Sequence, residues 1–213
     1  LAVTFPFMNL AAAFGSLVGV GASTMISVKL GQKDYDTARK VLGNVVSLNI
    51  IIGILFTVIS LLFLDPILYF FGASSNTISY ARDYMIIILC GNIITHCYLG
   101  LNSAMRSSGM PKQAMAATIL TVVLNAILDP IFIFVFDLGI AGAAYATILA
   151  QIVSLVWLII SFSHKDKVMH FTRKGFRLEK RIVLSSLSIG MSPFLMNVAA
   201  CLIVIVINRT LFY

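Results

Sequence analysis

Six long apolar runs divide this chain, at about 5–28, 41–64, 84–105, 114–136, 140–163 and 182–208, with most of the charged residues gathered between them. A run of that length is too long for a buried strand. It suits a helix crossing the hydrocarbon of a bilayer, which takes ~20 residues. The alternating short segments of a membrane β-barrel are absent. The pattern predicts an all-α polytopic membrane protein with six transmembrane helices.

Composition strengthens that reading. Of the 213 residues, 60% are hydrophobic and 11% charged, with a mean hydropathy of +1.01. Soluble domains carry roughly 25% charged residues, so this chain lacks the polar surface that water requires. The net charge of +7 does not point to nucleic acid, because the basic residues sit in short connections without a zinc spacing, a stacking motif or a basic tail. Cys90, Cys97 and Cys201 lie within apolar runs and form no CxxC pair, as expected of small packing residues.

Charge also orients the spans. Lys29, Lys33, Arg39, Lys40, Arg106 and Lys112, together with the seven basic residues between Lys165 and Arg181, fall on one side. Arg82 and Arg209 fall on the other. The positive-inside rule makes the rich side cytoplasmic, so residue 1 and residue 213 are expected on the outer side of the cell membrane. The chain starts at Leu1 and stops at Tyr213 just after an apolar run, and the expectation is a piece of a longer protein.

Seven of the eight acidic residues lie in connections or at span ends; Asp129 alone lies well within a span. A carboxylate at that depth costs a few kcal/mol to insert, so it is expected to face a cavity and serve transport. It closes the run Asn125-Ala-Ile-Leu-Asp129-Pro130. Asn125 and Asp129, four apart, share one helix face. Pro130 lacks an N–H and crowds the carbonyl of Ala126, which frees an oxygen nearby. Carboxylate, amide and carbonyl oxygens suit Na⁺ or a reversibly bound proton. Asp129 lies roughly 10 Å from the outer end of its span, and Thr147, seven residues into the next, comes to the same level. Asn92 lies about as deep, with His96 four residues on, and both Asn92 and Tyr84, at the outer mouth, are candidates to line the same cavity. In the first span, Gly15 and Gly19 favour close helix packing.

These residues bring a family into view. Gly19-Val-Gly21-Ala-Ser23 with Leu30-Gly31-Gln32, Arg106-Ser-Ser-Gly109-Met-Pro111-Lys112, Asn125 to Ile131, and Gly139-Ile-Ala-Gly142-Ala-Ala-Tyr-Ala-Thr147 leading to Gln151 occur in an order, spacing and sidedness that resemble the multidrug and toxic compound extrusion (MATE) transporters. The likeness is to the branch with the DinF-like and MepA-like bacterial proteins. It implies a twelve-helix fold in two lobes, of which this chain resembles helices two to seven. Residues 1–163 would supply five helices of the N-terminal lobe, 164–181 a basic cytoplasmic linker, and 182–213 the first helix of the C-terminal lobe. It also implies a cation or proton site at Asp129, Asn125 and Thr147, and a place for Tyr84 near the outer end. A further family carboxylate belongs to a first helix that this sequence does not contain.

The function expected is secondary efflux of organic cations or drugs in exchange for Na⁺ or H⁺, by a monomer in the bilayer. No cofactor, no nucleic acid and no metal other than Na⁺ at Asp129 are expected. The alternative within the wider superfamily is a flippase for lipid-linked oligosaccharides or peptidoglycan precursors. Gripping pyrophosphate calls for Arg or Lys within the spans, and none lies there. An embedded enzyme is not expected, since no GxSxG elbow or HExxH motif is present.

Overall fold

The computed structural model describes residues 5–71, 78–164 and 168–211. Residues 1 and 213, which the charge pattern assigns to the outer side, lie outside them, as do Lys165, Asp166 and Lys167 of the basic connection. Every predicted span is a helix: α1 Phe5–Gly31, α2 Tyr35–Leu62, α4 Ile78–Ser107, α5 Pro111–Pro130, α6 Gly139–Ser163 and α7 Lys180–Leu211. Each is long and apolar enough to cross a bilayer. Val58, Val122, Phe134 and Ile160 are among many large apolar side chains left exposed. Helices apolar on all faces belong in lipid or packed against further protein.

Local chemistry sets the ends. Asp34 caps α2 by accepting from the Thr37 N–H at 3.2 Å. Gly109 takes a left-handed φ of 80°, and Pro111 opens α5 at its first turn. Two short elements were not evident from hydropathy. One is α3, Leu64–Phe70; the other is a 3₁₀ turn, Arg173–Phe176, in the basic connection. Asp65 therefore lies in a helix rather than a loop, where it pairs with Arg82 of α4. The fourth span is also not one continuous α-helix. After Pro130 it passes into a π-helical turn, Ile131–Val135, closed by the Phe136 N–H on Ile131 O at 3.0 Å.

α4 is the centre of the bundle, packed against α1, α2, α3, α5 and α6. Its small residues allow this: Gly100 lies against Gly19 of α1 and the Asn49 side chain of α2, and Gly91 against Ile148 of α6. Among the described elements α5 packs on α4, on α6 and on the π-helical turn that follows it, while α7 lies along α1. One buried cluster, with Val18, Leu42, Leu101 and Phe162, fills the end that carries the basic connections. A second, with Phe7, Leu68, Tyr84 and Leu89, fills the opposite end.

The basic connection is docked on α2 rather than free. Buried Asn44 shares its amide hydrogens among the carbonyls of Lys40, Gly175 and Arg177 at 2.9–3.1 Å. Its Oδ1 accepts the Glu179 N–H at 3.0 Å. Ser47 donates to Phe176 O, Arg39 to Val168 O, and Lys40 pairs with Glu179 at 2.8 Å.

Candidate cation site

α5 and α6 run antiparallel and bring three of the predicted residues together. Asn125 Nδ2 donates to Asp129 Oδ1 at 3.1 Å and lies 3.3 Å from Thr147 Oγ1. The Thr147 hydroxyl in turn donates to Ala143 O at 2.9 Å. The four-residue spacing puts Asn125 and Asp129 on one face as expected, and all three side chains are half-buried. Gly142 allows the close approach of the next segment, for a Cβ there would come within 2.7 Å of Phe132 O in the π-helical turn. The π-helical end of this span is thus seated on the start of α6, which holds the carboxylate and the threonine at one level.

Asn125 faces Asp129 with its NH₂ group, directing one amide hydrogen at a carboxyl oxygen. Turned over, the same amide would offer Oδ1 beside the carboxylate and the Thr147 oxygen. The donor set then becomes three hard oxygens, chemistry that suits Na⁺ or a proton.

The other predicted residues are placed differently. Tyr84 is buried rather than at an open mouth, with its hydroxyl 3.6 Å from Met8 Sδ. Asn92 is 2% exposed and its Nδ2 has no partner. His96, fully buried, is bound through Nε2 to Ala11 O at 2.8 Å, and its Nδ1 has no partner. Neither Asn92 nor His96 is bonded to the Asp129 group. An apolar cavity of about 540 Å³, walled by Phe7, Phe14, Phe56, Ile59, Phe71 and Leu187, includes no residue of that group either.

Sequence reading missed what lies beneath the carboxylate. Thr95 donates to Gln151 Oε1 at 2.5 Å. Thr121 Oγ1 lies 2.7 Å from Ser154 Oγ and 3.1 Å from the Tyr98 hydroxyl. Asn102 Nδ2 lies 3.3 Å from Thr118 Oγ1, and its Oδ1 accepts from Arg106 Nε and Nη2 at 3.0 and 2.6 Å. The signal was present as polar residues at helical spacing: 118, 121, 125 and 129 on α5, 147, 151 and 154 on α6, and 95, 98, 102 and 106 on α4. Only the crossing of three helices shows that these stripes meet. Interhelical hydrogen bonds in bilayers average about 0.6 kcal/mol, so stability alone gives little reason for three coinciding polar stripes.

Comparison with known proteins agrees with this architecture. The MatE family profile matches residues 1–131. The chain is 32% identical over 208 residues to the multidrug export protein MepA of Staphylococcus haemolyticus, covering 98% of this chain and 46% of that protein. It is 30% identical to MepA of Staphylococcus aureus, covering 93% and 44%. It thus spans about half the length of the curated relatives it matches. Among solved structures, an inward-facing multidrug resistance MATE family transporter of the MOP superfamily superposes with a TM-score of 0.90 at 27% identity, covering 96% of this chain and 47% of that one. An outward-facing structure of such a transporter gives 0.85 at 29% identity, covering 92% and 45%.

Proposed function

This chain belongs to the MatE family, a family of multi-pass membrane transporters, and on that premise we propose that it carries the ion-binding part of a secondary multidrug efflux transporter. In this reading Na⁺ or H⁺ binds at Asp129, Asn125 and Thr147, and organic cations or drugs leave in exchange. Residues 1–163 belong to the N-terminal lobe, 164–181 to the cytoplasmic linker and 182–213 to the first helix of the second lobe. Both curated relatives are multidrug export proteins. The observation that carries the reading is the meeting of Asp129, Asn125 and Thr147 across two helices.

The mechanism follows from charge and exclusion. In this reading Asn125, NH₂-first, satisfies the Asp129 carboxyl until a cation arrives. A cation arriving from outside displaces those amide hydrogens, and Asn125 rotates to present Oδ1. The apolar cavity does not include Asp129, so drug and ion need not compete for one pocket. Coupling requires only that the two prefer different conformations of the protein.

Asp129→Asn tests the reading in the complete natural reading frame that contains this chain. The amide keeps shape but neither ionises nor balances a cation. Ion-driven efflux from proteoliposomes should vanish while the protein still inserts, and Asn125→Ala and Thr147→Ala should weaken it less. Wild-type efflux in Asp129→Asn would end the proposal.

A further inference from the structure

We propose that the polar seam where α4, α5 and α6 meet is the path of the coupling cation between Asp129 and the basic end of the bundle, separate from any path taken by the drug. This rests on Asp129 being the ion site. Oxygen-bearing side chains occupy successive levels below it: Gln151 with Thr95, then Thr121 with Ser154 and Tyr98, then Thr118 with Asn102. On α5 the seam runs eleven residues, from Asp129 to Thr118, or about 16 Å at 1.5 Å per residue. Adjacent levels are three or four residues apart along each helix, about 4.5–6 Å, a separation that a single water can bridge.

The chemistry at the middle level fits transfer better than adhesion. Thr121, Ser154 and Tyr98 are hydroxyls, each able to donate and to accept. A proton received on one oxygen is passed on as that group gives up its own, and each hydroxyl ends neutral. Asp129 thereby returns to carboxylate as the proton reaches water at the basic end. The same oxygens, with the carbonyls of Gln151 and Asn102, are hard ligands for Na⁺. Several of the hydroxyls already bond their own helix, Thr121 to Ala117 O, Thr118 to Ala114 O and Thr147 to Ala143 O. They therefore do not need a cross-helix partner to be satisfied.

Arg106 closes the lower end. Two of its nitrogens hold Asn102 Oδ1, so the last level opens only when the guanidinium swings aside. Space for that movement lies next to it, in a cavity of about 290 Å³ lined by Ser23, Thr24, Ser27, Ser103 and Ser107.

Thr121→Val, isosteric but without the hydroxyl, tests the path in the complete reading frame, in proteoliposomes driven separately by a proton and by a Na⁺ gradient. Coupled efflux should fall about tenfold, the equivalent of one lost hydrogen bond in the barrier, in the arm whose ion is the coupling cation. Drug binding and drug–drug exchange should be unchanged, and Thr121→Ser should restore the rate. If Thr121→Val folds poorly, Ser154→Ala removes a neighbouring hydroxyl at less cost in volume. Full coupled efflux in Thr121→Val and Ser154→Ala, with Asp129→Asn inactive, would overturn the path and leave the ion site standing. Loss of drug binding along with coupling would reduce the seam to packing. A fully active Asp129→Asn would remove both proposals.

Discussion

Between α5 and α6 side chains reach across to each other, Asn125 to Thr147 and Thr121 to Ser154, whereas between α1 and α7 the backbones themselves touch, Gly21 against Ser186 and Leu17 against Gly190. A Cβ on Gly21 would overlap the Ser186 carbonyl oxygen, and one on Gly190 the Leu17 carbonyl oxygen. The polar contacts described along this crossing are weak: Ser186 to Met25 Sδ at 3.2 Å and Asn197 to Ser16 Oγ at 3.4 Å. Directed bonds fix register, because sliding one helix breaks them. Bare backbone faces let two helices approach closely and set their distance, with few directed bonds to break when they shift. One interface is therefore suited to hold a site together, and the other to move.

The largest effect should come from filling the bare interface. Gly21→Leu forces the crossing open, where overpacking already costs roughly 1–3 kcal/mol in a soluble core and occasionally more. Transport should be lost, with the protein still inserted, and even Gly190→Ala should slow it severely. Ser154→Ala, a comparably small change in the hydrogen-bonded interface, should leave the fold intact. Efflux and detergent melting of the three variants would measure the contrast. Unimpaired transport in Gly21→Leu would show that α1 and α7 do not need their close crossing.

Asn44→Ala should act next, on a contact that has both characters. Here a side chain clamps a backbone: Gly43 comes so close to the linker that a Cβ would meet the Gly175 carbonyl, and Asn44 binds on both sides of it. Removing the amide leaves buried backbone groups unpaired, at roughly 1–3 kcal/mol. The linker should then open locally, and trypsin should cut at Arg173 or Arg177 several-fold faster while the helices stay protected. Unchanged cleavage would mean that Ser47, Arg39 and Lys40 hold the linker without Asn44.

The same contrast explains what could be read from the chain alone. The spans were legible because lipid demands long apolar runs, and Asn125, Asp129 and Thr147 because helical spacing and depth are arithmetic. The lower seam was not, because Thr121 and Ser154 are individually ordinary in membrane helices and acquire meaning only from the crossing of three stripes. Gly190 is similar: its role comes from Leu17, 173 positions away. The π-helical turn was half legible. Pro130 announces a disturbance, but its form depends on Gly142, which makes room for Phe132. The Asn44 clamp gave no signal, since its partners are main-chain groups of residues 175, 177 and 179.

The smallest effect is expected where a directed bond stands in water. Asp34, between α1 and α2, accepts from Thr37 and lies 3.5 Å from the Lys29 ammonium. The hydrogen bonds from Thr37 hold its carboxyl below the ordinary range, with Lys29 adding less. A lowered folded pKa means that its stabilisation is present above the ordinary Asp value of about 4. It fades as pH falls through the lower folded value. The turn should therefore be indifferent to pH from neutrality down to about pH 5 and loosen only in acid below about pH 4. Asp34→Asn still caps the helix but does not ionise, so it should remove the acid response while keeping most of the protection. The measurement is hydrogen exchange at the amides of Thr37 and Ala38, taken as the ratio of wild type to variant at each pH. A ratio that changed between about pH 5 and pH 8 would assign the turn to a different titrating group. A ratio flat throughout would show that an exposed cap fixes the end of α2 by geometry alone, and that directed bonds in this molecule matter only where lipid or protein excludes water.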